Sequence, residues 1–305
     1  MRFARSVCTF MTMAAAALVT IQNATAQTIR SDDPVIRQMW TVGMEQSQTE
    51  DLAQILTDFI GPRLAGSPNL AAAGDWALEK FAEWGGPARM EEYGTWNGWQ
   101  FGITHIDLVA PRVQTLEAEV LAWSPGTGGP MEGDVLTVPQ FSSPEAANEW
   151  LPSVEGKIVL VSAPEPMCRG PHELETNATP ETVERLARQR QGLRQEYARR
   201  LAPFGGRGAA QRFADAGAAG IISSSWSNGW GVNKVFSAST RDIPSVDLSC
   251  EDYGMVFRMA EKEQGPRIRM NIEAEDLGEV PQFNVLAELR GTELPDEYVL
   301  LGAHL

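Results

Sequence analysis

The stretch EGKIVLV at positions 155–161 decides the fold, because it sets a short and compact apolar run directly behind a glycine. Gly156 leads into the run from Lys157 to Val161. A continuous apolar run of this length, bounded by a turn residue, is typical of a buried strand. The stretch therefore predicts one strand of a larger sheet, and the segments on both sides of it show what else the sheet contains.

Strand and helix patterns alternate around this run. Further strands are predicted at 119–123, 220–222, 243–249 and 268–274, and a helix rich in small residues is predicted at 209–219. Ser249 with Asp252 resembles a capping box that opens a helix through Lys262. Strands and helices in this order predict a compact α/β module over residues 116–275.

A charged segment at 164–208 interrupts this module, and its helix is predicted to start at Thr179 and Pro180. A basic cluster can bind phosphate or lipid headgroups. Acidic residues are interleaved with the basic ones here and the whole chain has a net charge of −15, so a solvated helix face is the favoured interpretation. The basic residues of this helix are Arg185, Arg188, Arg190, Arg194, Arg199 and Arg200.

Two amphipathic helices precede the module. The first is predicted with Thr49 as its N-cap, and the second with Ser67 as its cap and Pro68 in its first position. The stretch GPRLAGS at 61–67 lies between the two helices and contains Arg63. The favoured interpretation of this stretch is a helix-to-helix turn. Aromatic and β-branched residues from 92 to 112 predict strands, and His105 within them is favoured as a structural or surface residue.

The first 26 residues are predicted to be an export signal, with two arginines ahead of an apolar run and Ala24-Thr25-Ala26 as a cleavage site. No other segment is apolar enough to span a membrane, so we expect an exported protein without a stable membrane anchor, in the periplasm or outside the cell. The acidic net charge argues against nucleic acid as a partner. Cys168 and Cys250 could form a disulfide in an oxidising compartment, and the sequence leaves their pairing open.

Two strands are predicted near the end of the chain, at 283–289 and 298–301, joined by a turn too short for a parallel crossover. The apolar run from Val299 to Leu301 is typical of a strand that is covered on both faces. Gly302 follows, and His304 lies just past the carboxyl end of this strand. In open α/β sheets, ligands bind at that edge.

Several of these motifs resemble one family of proteins. The stretch FNVLAELRGTELPDEYVLLGAHL at 283–305 resembles the segment of secreted zinc-dependent exopeptidases, the aminopeptidase and carboxypeptidase Q group, in which a strand ends in Gly-x-His-x-Asp. GPRLAGSPNL resembles the amino-terminal motif of the same family, and EGKIVLV, AGAAGIIS and IPSVDLS resemble its inserted protease-associated domain. The resemblance extends over nearly all of the predicted mature chain, in the order of the family.

The resemblance implies the amino-terminal part of a zinc-exopeptidase α/β/α sandwich. It implies four parts: a signal peptide at 1–26, the first peptidase segment at 27–115, an inserted α/β protease-associated domain at 116–275, and the start of the peptidase sheet at 276–305. The family uses two zinc ions, and His304 maps onto the first metal ligand. We expect the chain to be truncated inside this motif, so that the catalytic residues cannot be assigned and the 305-residue chain is itself inactive.

The function implied is the hydrolysis of terminal peptide bonds or dipeptides by a metal-activated water. The expected partners are a peptide or dipeptide substrate and, as a possible assembly, a second copy of the chain. One alternative is a non-catalytic binding protein on the same scaffold, in which the protease-associated domain serves recognition. A second alternative treats residues 116–275 as an independent soluble domain and His304 as a structural residue.

Overall fold

The computed structural model describes residues 31–232, 235 and 237–305, so the predicted export signal at 1–26 lies outside the described residues. The chain divides into one unit that ends at Ile55 and a second that begins at Leu56. The first unit contains α1 (Pro34–Trp40), a π-helical segment (Thr41–Glu45) and α2 (Thr49–Gln54). Gln48, not Thr49, occupies the N-cap of α2 and makes no capping bond with its side chain, so the predicted start is wrong by one residue.

In the described part of the chain, the second unit is built on an eight-stranded mixed sheet with the order β2-β1-β8-β4-β5-β6-β7-β3. The neighbouring strands from β4 to β7 pair in parallel. The other neighbouring strands of this sheet pair antiparallel. The predicted α/β fold class is therefore confirmed. The strands are β1 (Ala88–Ala110), β2 (Gln114–Leu116), β3 (Ala118–Val120), β4 (Met131–Thr137), β5 (Ile158–Leu160), β6 (Gly220–Ser223), β7 (Ser245–Leu248) and β8 (Arg267–Ala287).

Helices cover this sheet and connect its parallel strands. An aromatic cluster of Phe141, Trp150, Phe204 and Phe213 packs between them, with ring centroids 5.1 to 6.3 Å apart. Aromatic residues bury large areas and contribute strongly to such a core. The helices of this unit are α3 (Pro68–Glu83), α4 (Pro144–Trp150), α5 (Pro171–Asn177), α6 (Pro180–Leu201), α7 (Ala209–Asp215) and α8 (Cys250–Glu261), and a π-helical segment (Ile55–Ile60) precedes them.

Strand β5 lies at the centre of the core, as EGKIVLV predicts. Its three residues are completely buried, and it pairs in parallel with β4 on one side and β6 on the other. A parallel strand covered on both faces needs apolar side chains at successive positions, because both faces meet protein. This explains why the run is continuous and not alternating.

Helix starts in this unit follow the predicted capping residues. The Ser67 hydroxyl accepts a hydrogen bond from the Leu70 N–H at 3.2 Å and Pro68 is the first residue of α3. Ser249 caps α8 in the same way, accepting from the Asp252 N–H at 3.3 Å. The Asp252 carboxylate does not complete the capping box, because it accepts from the Glu117 N–H at 2.8 Å instead.

Strands β1 and β8 form a long antiparallel ribbon, paired from Ala88 with Ala287 to Ala110 with Arg267. The predicted domain boundary between residues 275 and 276 falls inside β8, and the boundary between 115 and 116 falls inside β2. The predicted module and the segments before and after it therefore share strands of one sheet.

The prediction of a strand at 298–301 is wrong for the structure described. Among the described residues the last strand ends at Ala287, and residues 298–301 are 84 to 93% exposed. An apolar run becomes a strand only where another strand takes up its backbone hydrogen bonds and other side chains cover its faces. No described residue supplies this partner at 298–301.

Candidate functional site at the carboxyl edge of the sheet

The carboxyl ends of β5 and β6 open into a cleft of about 520 Å³. Ligands of open α/β sheets bind at this edge, where loops leave the parallel strands. Polar side chains are the main feature of this cleft. Its lining includes Ser162, Glu165, Arg194, Ser224, Trp226 and Asn228.

Hydrogen bonds fix the floor of the cleft. The Ser162 hydroxyl accepts from the Ser224 N–H at 3.0 Å, which joins the loop after β5 to the loop after β6. The buried Tyr253 hydroxyl accepts from the Ser162 N–H at 2.9 Å and donates to the Ser162 carbonyl at 2.6 Å. Burial raises the pKa of Tyr253 well above its ordinary value, so the phenol stays protonated and keeps donating.

Asp247 at the end of β7 lies behind the floor, and only 2% of it is exposed. Its carboxylate accepts from the Ser223 hydroxyl at 2.7 Å and from the Ser225 N–H at 2.9 Å. Burial raises the pKa of Asp247, and the bonds from Ser225 and Ser223 offset part of that rise. Asp247 therefore holds the loop after β6 and does not face the cleft.

A charged group forms one wall. The Glu165 carboxylate accepts from Arg190 Nε at 2.5 Å and from Arg194 Nη2 at 2.7 Å. Both arginines come from α6, so the helix of the charged segment turns part of its basic set toward the cleft. The Arg190 guanidinium also lies 5.2 Å from the centre of the Trp226 ring, within cation–π range. Arg190, which is 25% exposed, departs from the predicted solvated face, whereas Arg188 and Arg194 are 69% and 61% exposed, as that prediction expects.

A disulfide holds the same wall. Cys168 and Cys250 are bonded, with Cα atoms 5.7 Å apart, which decides the pairing that the sequence leaves open. The bond joins the charged segment to the first residue of α8. Next to it, a Cβ atom added to Gly170 would lie 2.9 Å from the Asn228 carbonyl, so this stretch packs closely on the loop after β6.

His304 does not belong to the lining of this cleft. It lies in an exposed stretch outside helices and strands. The described residues contain no group of three or more His, Cys, Asp or Glu side chains that could hold a metal ion, so they do not form a zinc site by themselves. His304 as a ligand stays a prediction. His105 is an exposed residue of β1, 3.4 Å from Asp107, as the favoured surface interpretation expects.

The GPRLAGS stretch forms a turn between the π-helical segment and α3, as favoured. Arg63 Nη1 donates to the Leu56 carbonyl at 2.6 Å and to the Gly61 carbonyl at 2.9 Å, which satisfies the end of the preceding helical segment. Gly66 has φ of +79°, and a Cβ there would lie 2.5 Å from the Asn97 carbonyl. Arg63 and Gly66 thus have structural roles in this turn.

The residues that build the cleft are ones that sequence reasoning missed. The run SSS at 223–225 begins at the last residue of β6, and Ser162 lies two residues after the end of β5. Polar residues at the carboxyl ends of neighbouring parallel strands were the available signal. The Glu165 pairing carried no such signal, because its partners are 25 and 29 residues away.

Comparisons with known proteins agree with the predicted resemblance, although no family model matches the chain. Carboxypeptidase Q of Bos taurus is 23% identical over 275 residues, which cover 86% of this chain and 50% of the bovine protein. Carboxypeptidase Q of Homo sapiens is 23% identical over 269 residues, with the same shares covered. The chain spans about half the length of these curated relatives.

One solved structure shares the fold. A peptidase M28 precursor from Shewanella amazonensis SB2B matches with a TM-score of 0.51 and 24% sequence identity, over 85% of this chain and 54% of that chain. No helix among the described residues is long and apolar enough to cross a membrane.

Proposed function

We propose that a protein containing this chain is a zinc-dependent exopeptidase, because the chain is similar to carboxypeptidase Q and to an M28 peptidase. Its reaction would be the hydrolysis of terminal peptide bonds or of dipeptides. The observation that carries the proposal is the match to carboxypeptidase Q over 86% of the chain. The two predicted zinc ions, the peptide or dipeptide substrate and a second copy of the chain as partner belong to this proposal.

His304 is proposed as one zinc ligand, with the remaining ligands outside the described residues. Support comes from its place after an apolar run and a glycine at 299–302, the pattern on which the resemblance rests. Because the described residues hold no metal site of their own, the 305-residue chain is proposed to be inactive alone.

Residues 116–275 are proposed to form the protease-associated domain of this enzyme. Parallel strands β4 to β7 with their helices support an α/β module, and the shared strands β2 and β8 support a firm join to the rest. The Cys168–Cys250 disulfide supports an oxidising compartment, in agreement with the proposed export to the periplasm or the cell exterior.

The test is zinc content and dipeptide hydrolysis of a protein that contains this chain and has the length of the relatives. We expect bound zinc and activity, and His304→Ala should lower both by at least about tenfold because a ligand is lost. His105→Ala is the matched control, since it removes another exposed histidine, and it should change neither. Absence of both zinc and activity would contradict the proposal.

The cleft favours a second candidate function, a binding protein on the same scaffold. Its polar lining and the disulfide behind it do not require a metal. In that case the longer protein would bind ligand in the cleft without hydrolysis, and His304→Ala would leave metal content unchanged.

A further inference from the structure

We propose that the cleft at the carboxyl ends of β5 and β6 binds a carboxylate-bearing ligand, an amino acid or the carboxyl end of a short peptide. Arg194 is the residue that binds the carboxylate. The inference requires neither zinc nor His304, and it names the ligand class and the binding residue that the second candidate function leaves open.

The cleft has the size and the place of a ligand site. Its volume of about 520 Å³ lies within the roughly 300–1,000 Å³ of typical small-molecule sites. Its floor and wall are held by Tyr253, by Asp247 and by the Cys168–Cys250 disulfide. A site that is already ordered loses little conformational freedom on binding, so more of the contact energy appears as affinity.

Among the charged side chains that line the cleft, the exposed one is a cation, which favours an anion as ligand. Glu165 is only 9% exposed and faces two arginines, which leaves one positive charge in this group. Arg190 is 25% exposed and is also engaged with the Trp226 ring. Arg194 is 61% exposed, which makes it the accessible cation of the group in a protein whose net charge is −15.

The geometry of Arg194 favours a carboxylate in particular. A guanidinium carries five N–H donors, and the interaction of Arg194 with Glu165 is a single bond from Nη2 to Oε1 at 2.7 Å. Its other donors remain for a ligand, and the planar fork of a guanidinium matches two carboxylate oxygens. The exposed Asn228 lies on the same lining as a further polar contact.

Calorimetric titration of the 305-residue chain in a zinc-free buffer with chelator tests this. The probes are alanine, dialanine, trialanine and dialanine amide, in which a neutral amide replaces the carboxylate. We expect saturable binding of at least one carboxylate probe, and at least about tenfold weaker binding of the amide than of dialanine. Binding of alanine alone would indicate a free amino acid as ligand, and binding of the longer probes a peptide end.

Variants assign the site. Arg194→Gln should weaken binding at least about tenfold, and Arg194→Lys should weaken it less because the charge is kept. The control is Arg188→Gln on the same helix, an exposed arginine paired with Glu184 at 3.2 Å, which should bind as the parent does. Thermal unfolding of each variant checks that the fold is kept, as expected for exposed side chains.

Three results would overturn the proposal: no saturable binding of any carboxylate probe, equal binding of dialanine and its amide, or undiminished binding by Arg194→Gln. Because zinc is absent throughout, each outcome is independent of whether the longer protein hydrolyses peptides.

Discussion

Two apolar runs of this chain have nearly the same character and opposite surroundings. The run of β5, Ile158–Leu160, is completely buried between two parallel strands. The run Val299–Leu301 is 88 to 93% exposed and lies outside any helix or strand. The comparison shows that an apolar run provides only the capacity to form a strand, and that the neighbouring strands decide whether it does so.

The physical reason lies in both the backbone and the side chains. A strand leaves its N–H and C=O groups unpaired until another strand binds them. Burying one Val or Leu side chain contributes about 1.5–3 kcal/mol, but only if other apolar groups cover it. Strand β5 obtains both contributions, and the run at 299–301 obtains neither from the described residues.

The largest expected effect separates these two runs directly. Leu160→Ala should lower the free energy of unfolding by about 2–5 kcal/mol, because it leaves a cavity in a packed core. Leu300→Ala should change it by less than about 0.5 kcal/mol in the 305-residue chain, because that side chain is exposed. Urea unfolding followed by circular dichroism measures both.

The same pair of variants in a protein of the relatives' length sharpens the comparison. If other segments there cover the run at 299–301, Leu300→Ala should become comparable in cost to Leu160→Ala. Equal costs of the two variants already in the 305-residue chain would contradict the exposed state described here.

The next effect concerns the Cys168–Cys250 disulfide, which cross-links the module at 116–275 that contains β5. The segment 288–305 has no such cross-link. Replacing Cys168 and Cys250 together by serine should lower the free energy of unfolding by about 2–4 kcal/mol, because the bond restricts the unfolded chain. Thermal unfolding with and without reductant measures it. Reductant should lower the transition of the parent and leave that of the double variant in place.

A smaller effect is expected at the start of α8, which packs on the same module. Ser249→Ala removes the hydroxyl that accepts from the Asp252 N–H and should lower the free energy of unfolding by about 0.5–2 kcal/mol. Ser249→Asp should restore most of it, because a carboxylate also caps a helix. An equal loss in both variants would show that burial of Ser249, and not capping, is what matters.

The smallest effect lies on the surface beside β5. Hydrogen bonds from Lys157 and Arg267 lower the pKa of Asp134. A lowered pKa in the folded state gives stability above the ordinary aspartate pKa of about 4, and this stability is lost as the pH falls through the folded pKa. Asp134→Asn should therefore be slightly less stable at pH 7, and the difference should shrink in acid.

Urea unfolding of the parent and of Asp134→Asn at neutral and acidic pH checks this prediction. Asp296→Asn is the control, since its carboxylate is 98% exposed and lies 4.0 Å from Arg290. A loss for Asp134→Asn that does not depend on pH would exclude the ion pairs as its cause.

Local signals account for what the sequence predicts well. Ser67 and Ser249 cap their helices within three residues, so the cause and the effect lie in the same short stretch. The apolar run at 157–161 is too short for a helix, which makes it a strand wherever it is covered. These features establish the α/β class without knowledge of distant contacts.

Distant contacts account for what the sequence does not predict. Nothing in the sequence around Arg190 and Arg194 shows that both donate hydrogen bonds to Glu165. In the same way, Asp252 has the spacing of a capping box, but its carboxylate accepts from the distant Glu117 N–H. The strand prediction at 299–301 is wrong for the same reason, because the residues of the run do not show which other strand would pair with it. His304 follows that run, so its role remains a prediction.

The ribbon of β1 and β8 has a mechanical consequence. At about 3.3 Å per residue, the paired strands of 21 and 23 residues have a contour length of roughly 70 Å, along which no loop separates the two ends. Bending is easiest at the register shifts, such as those between Glu92 and Gly94 and between Phe101 and Thr104. Motion at the end of the ribbon where Ala88 pairs with Ala287 would reach the central sheet as a twist of β8 against β4.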